Sequence, residues 1–68
     1  MAKFTQIFKE LREEKELSQE ELSKKLGIHQ KTISRWERGI QLPNIESLEV
    51  LARFFGVTAG YLIGMEED

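Results

Sequence analysis

The side chains best suited to chemistry in this 68-residue chain are cationic and clustered, for Lys24, Lys25, Lys31, Arg35 and Arg38 all fall between residues 18 and 38. That segment holds five basic and three acidic residues, a net of +2; residues 1 to 17 hold four of each, and residues 39 to 68 hold one basic and five acidic. The whole chain is net −2, which on its own argues mildly against a nucleic-acid partner, because phosphate contacts require Lys and Arg. Split by segment, the chain is polarised. The middle can face an anion while the acidic end faces away.

Other chemistries lack their residues. Cysteine is absent, which removes disulfides, cysteine-ligated zinc and thiol catalysis together, and the single histidine, His29, cannot assemble a histidine-rich metal site. No phosphate-binding glycine loop and no nucleophile with a histidine base can be found. The carboxylates Glu13, Glu14, Glu20 and Glu21 read as solvated helix faces. The expectation is a non-enzyme without metal, cofactor or small-molecule ligand. No apolar run approaches the roughly 20 residues needed to cross a bilayer, and Met1-Ala2-Lys3-Phe4 lacks a signal-peptide apolar stretch. A soluble, cytoplasmic protein with no membrane partner is therefore expected, folded as a single domain over residues 1–68.

The elements that must carry the cationic segment are helical. Gly27, Gly39, Gly56 and Gly64 each follow a stretch with apolar residues three and four apart, and glycine there reads as the left-handed residue that ends a helix. Between these stops lie Phe4, Ile7, Phe8 and Leu11, then Leu22 and Leu26, then Ile33 and Trp36, then Ile45, Leu48, Leu51, Ala52 and Phe55. The pattern predicts five helices and no strand, since no period-two alternation is long enough. Pro43 falls in the longest connector, before the fourth helix. Ser18-Gln19-Glu20-Glu21 is a capping box, with Leu17 and Leu22 placed as a hydrophobic staple. Asn44 and Thr58 suit the caps of the fourth and fifth helices.

Within residues 19–38 the second and third helices are separated only by Gly27, Ile28 and His29, the spacing of a helix-turn-helix. That geometry needs a small residue where the helices cross, a turn residue that accepts positive φ, and apolar residues that pin the second helix of the pair. Ser23, Gly27 and the set Leu22, Leu26, Ile28, Ile33 and Trp36 supply them in order. Trp36 is expected in the core, and His29 is read as a turn residue or an imperfect cap.

Over nearly the whole chain the sequence resembles the Cro and lambda-repressor-like, or XRE, helix-turn-helix domains. The resemblance is carried by Leu17-Ser18-Gln19-Glu20-Glu21-Leu22, Leu26-Gly27-Ile28, Thr32-Ile33-Ser34-Arg35-Trp36-Glu37-Arg38-Gly39, Leu42-Pro43 and Leu51-Ala52. It implies an all-α, compact five-helix bundle of the lambda-repressor-like type. Its third helix would enter the major groove of double-stranded DNA, usually in a homodimer on a two-fold symmetric operator, and the protein would be a transcriptional regulator of the repressor kind. The alternative on the same fold is an antitoxin-like protein-interaction module with DNA binding secondary.

Roles carried over by position follow. Gln30, Lys31 and Arg35 would meet base edges, with Thr32 and Ser34 behind them; Gln suits adenine, and Lys and Arg suit guanine. Gln19, Arg38, Gln41 and Asn44 would lie along phosphates, Gln19 helped by the amides of its helix start. Arg12 and Glu37 would form a partly buried ion pair between the first and third helices. Val57, Tyr61, Ile63 and Met65 are candidates for a dimer interface, because the last segment is more apolar than one short helix needs.

Two departures stand out. Many relatives have glycine where this chain has Glu16, and a non-glycine residue at positive φ there would cost about 1 kcal/mol. The acidic end, Glu66-Glu67-Asp68, must point away from DNA or weaken its binding.

Overall fold

In the computed structural model, which describes residues 2–66, the chain runs through α1 (Ala2–Glu14), α2 (Gln19–Leu26), α3 (Gln30–Arg38), α4 (Ile45–Phe55) and α5 (Ala59–Leu62). The fold is all-α, as the apolar spacing and glycine stops predict, with no strand among the described residues. Glu67 and Asp68, two members of the acidic end, lie outside them.

Local chemistry starts each of the last four helices. Ser18 Oγ accepts from the Glu21 N–H at 3.0 Å, and the Glu21 carboxylate accepts from the Ser18 N–H at 2.8 Å, the reciprocal capping box. Asn44 and Thr58 cap α4 and α5 through the N–H groups of Ser47 and Tyr61. His29 caps α3, its Nδ1 accepting from the Lys31 N–H at 3.1 Å.

The turn between α2 and α3 reverses at Gly27, whose φ of 69° lies in the left-handed region open to glycine at little cost. Ser23, facing that turn, donates its hydroxyl to the Ile28 carbonyl. The end of α1 closes in the same manner with a different residue. The Leu17 N–H reaches the Arg12 carbonyl and the Glu16 N–H reaches that of Glu13, a Schellman ending with Glu16 at φ 57°. Among the described residues Glu16 is the one non-glycine with positive φ.

The core is aromatic where α1 meets α3. Phe4, Phe8, Leu22, Ile33, Trp36, Leu51 and Leu62 are buried, one or two from every helix. Phe4 stacks on Phe8 with centroids 5.5 Å apart, and Trp36 and Phe55 meet the Phe8 ring edge-on. Thr5 Oγ1 donates to the Trp36 carbonyl, a second tie between α1 and α3. One apolar position departs from the periodic reading: Ile45 is 76% exposed. It shares a helical spacing with Leu48 and Ala52, but as the first residue of α4 it lies beyond the edge of the core that Leu51 enters.

Candidate nucleic-acid interface

Helix α3 divides its residues sharply. Ile33 and Trp36 point into the core, while Lys31, Arg35 and Arg38, spaced four and three apart, share one outward face and are all exposed. Gln30, also exposed, begins the adjoining row, followed by the half-buried Ser34; Thr32 is half-buried as well. No ion pair among the described residues engages the three cations. The only carboxylate on α3, Glu37, is turned away from them.

Glu37 instead joins three helical segments. Its side chain is 6% exposed and pairs with Arg12, which is 12% exposed, through both Nε and Nη2 of the guanidinium. Arg12 Nη1 donates to the Leu17 carbonyl at 2.7 Å, tying the same guanidinium to the staple ahead of α2. Gln19 Nε2 then donates to Glu37 Oε1 at 3.1 Å. Hydrogen bonding to Glu37 outweighs desolvation and raises the Arg12 pKa above its ordinary value. The partly buried pair between the first and third helices is thus in place, with a third member that the sequence did not reveal. Finding it needs a contact across eighteen residues between side chains whose types alone give no such signal.

The start of α2 already contains anions of its own. Glu20 and Glu21 occupy its first turn, and the Glu21 pKa is lowered by the Ser18 backbone N–H and then by the Ser18 hydroxyl. A phosphate arriving there would use Gln19 and the first amides, since the capping box takes the Glu21 N–H. Arg38 at the end of α3 and Gln41 and Asn44 in the connection after it are all exposed. Asn44 commits its Oδ1 to the α4 cap, which leaves its NH₂ as the donor for any outside partner.

At the other end of the molecule, Met65 is 78% exposed, whereas Val57 packs against the core and Tyr61 and Ile63 are half-buried. Further apolar exposure lies in the α3–α4 connection and the start of α4, at Ile40 (65%), Leu42 (44%) and Ile45. Sequence reasoning missed this strip. Its signal was present in two apolar residues placed after Gly39, outside any helical period, with no face to carry them inward.

This arrangement of a pinned α2, a glycine turn and an α3 with a polar outer face defines a helix-turn-helix protein. A model of the helix-turn-helix family matches residues 8–62, and the chain belongs to that family, in its Cro/C1-type branch. The chain is 41% identical over 64 residues to the HTH-type transcriptional activator BcrR of Enterococcus faecalis, covering 94% of this chain and 31% of that one. It is 36% identical over 64 residues to the cryptic phage CTXphi transcriptional repressor RstR of Vibrio cholerae, again covering 94% of this chain and 58% of the relative. The 26 kDa repressor protein of Escherichia phage HK022 is 38% identical over 50 residues, 74% of this chain and 21% of its own. The chain therefore spans only about a third to somewhat over half of the length of the first two relatives. No solved structure matches it. No helix among the described residues is long and apolar enough to cross a membrane.

Proposed function

We propose that this chain binds double-stranded DNA in a sequence-specific manner as a transcriptional regulator, with α3 in the major groove. The observation that carries the reading is the outward face of α3, where Lys31, Arg35 and Arg38 stand unpaired while Glu37 is held inward by Arg12 and Gln19. A helix of a net-negative protein is thereby given a cationic outer surface. Gln30, Lys31 and Arg35 read base edges, with Thr32 and Ser34 behind them, each good bidentate contact discriminating by about 1–3 kcal/mol. Gln19, Arg38, Gln41 and Asn44 follow the phosphate backbone.

The regulator acts as a homodimer on an inverted repeat, joined through Val57, Tyr61, Ile63 and Met65, in the cytoplasm at the nucleoid. Its regulatory sense is repression, after the phage relatives whose names say so. The test is selection of fragmented genomic DNA by the purified chain at about 150 mM salt, followed by sequencing, because non-specific binding weakens as salt rises. Enrichment of an inverted repeat with half-sites about 34 Å apart supports the dimeric reading. Retention that vanishes with modest salt and enriches nothing overturns sequence-specific binding by this chain.

A further inference from the structure

A cleft of about 320 Å³ lies on a part of the surface that the DNA-binding reading does not use. It is lined by Lys15, Leu17, Lys25 and Phe54, which come from the turn just after α1, the residue before the α2 cap, the last turn of α2 and the last turn of α4. No residue of α3 contributes. Leu17 and Phe54 are half-buried and give the cleft an apolar floor, and the Lys15 ammonium stands 5.3 Å from the centroid of the Phe54 ring. Cations belong near helix C-termini, which accounts for the charge of Lys25 but not for the apolar surface beside it. No carboxylate lines the cleft, and among the described residues neither Lys15 nor Lys25 takes part in an ion pair, although Lys24 next door pairs with Glu20.

We propose that this cleft docks an acidic segment of a partner protein, one apolar side chain seated on Leu17 and Phe54 with carboxylates meeting Lys15 and Lys25. Charge complementarity selects the occupant. Two ammonium groups from separate elements border an apolar floor on a chain that is otherwise net-negative, so an acidic segment adds to the apolar contact a charge pairing that a neutral one lacks and a basic one opposes. The open form of the cleft suits one anchoring side chain of a peptide rather than an enclosed small molecule. Because α3 takes no part, the cleft and the outer face of α3 are available together.

The experiment titrates the acetylated pentapeptide Asp-Glu-Leu-Glu-Asp into the ¹⁵N-labelled chain at about 50 mM salt, where surface charges are lightly screened. The charge-reversed Lys-Lys-Leu-Lys-Lys and the anchor-free Asp-Glu-Ser-Glu-Asp are the controls. Saturable shifts confined to the surroundings of Lys15, Leu17, Lys25 and Phe54 are expected with the first peptide only. A Lys15→Glu/Lys25→Glu variant should weaken binding by about tenfold or more; Lys25→Ala alone, at an exposed position, should weaken it in the same direction if the double variant does not fold. Equal response to the serine peptide, shifts spread over Lys3, Lys9 and Lys31, or no binding by the leucine peptide each overturns the proposal. So does a short DNA duplex that shifts the cleft residues in place of α3, which would make the cleft a phosphate contact.

Discussion

The two halves of the molecule are held by different physics. From α1 to α3 polar ties join the helices: Arg12 uses Nε, Nη1 and Nη2, Glu37 accepts from two residues, and Ser18 and Glu21 cap each other, with the buried Trp36 Nε1 left without a partner among the described residues. From Ile40 onward there are few such ties, and large apolar side chains stand in solvent at Ile40, Leu42, Ile45 and Met65. The first half spends its hydrogen bonds on fixing how α3 is presented, and the second leaves apolar surface for something else to cover. One half fixes a helix from several sides, and the other exposes apolar side chains that nothing within the described residues covers.

The largest expected effect breaks the rigid half. Glu37→Ala leaves the partly buried Arg12 guanidinium without its carboxylate, so we expect a loss of about 2–3 kcal/mol, between that of an exposed and that of a buried pair. On thermal unfolding this should appear as a fall of about 10–20 °C, at about 4–8 °C per kcal/mol for a domain of this size. A change within about 1 kcal/mol would place the pair among ordinary surface bridges. Next comes the outer face of α3. Lys31→Ala and Arg35→Ala should leave the melting temperature nearly unchanged, both side chains being exposed. Each should cost about 1–3 kcal/mol in binding to the selected DNA, measured at fixed salt.

Gln19→Ala sharpens the comparison from the α2 side, since it removes one donor to Glu37 and one proposed phosphate contact. Affinity should fall by a similar factor at every salt concentration while the slope of log affinity against log salt stays unchanged, because a neutral amide releases no counterion, in a protein that still melts cooperatively. Smaller again is Glu16→Gly, expected to stabilise by about 1 kcal/mol by removing a side chain from φ 57°. A lower melting temperature would show that the Glu16 side chain contributes more than its backbone strain costs.

The smallest effect is acidic. The Glu21 pKa is lowered by its bonds to Ser18, so the stability it contributes is present above the ordinary glutamate value of about 4.3 and is lost as pH falls through the lower folded value. Melting followed over that window should show a slightly steeper loss for the wild type than for Glu21→Gln.

What was legible in the sequence was mostly what is local. The Ser18–Glu21 box, the Asn44 cap and the glycine stops involve residues three or four apart, and each has a chemical reason that operates within one helical turn. The Arg12–Glu37 contact was reached by family resemblance alone, because nothing in the two residue types or their spacing brings them together. Gln19 as the third member was invisible for the same reason. Ile45 was misread because a periodic pattern specifies a face but not where the core ends along it. The exposed Ile40 and Leu42 belong to the connection, which periodicity does not describe at all.

The central claim is that the outer face of α3 reads base sequence. It is tested most directly by selecting a random duplex library in parallel with the wild type and a Lys31→Ala/Arg35→Ala variant, at about 150 mM salt. The wild type should enrich one inverted repeat, and the variant should lose preference at particular base pairs while keeping the remainder of the motif. Enrichment of the same motif by both proteins, or of none by the wild type, would contradict the assignment of base reading to this helix.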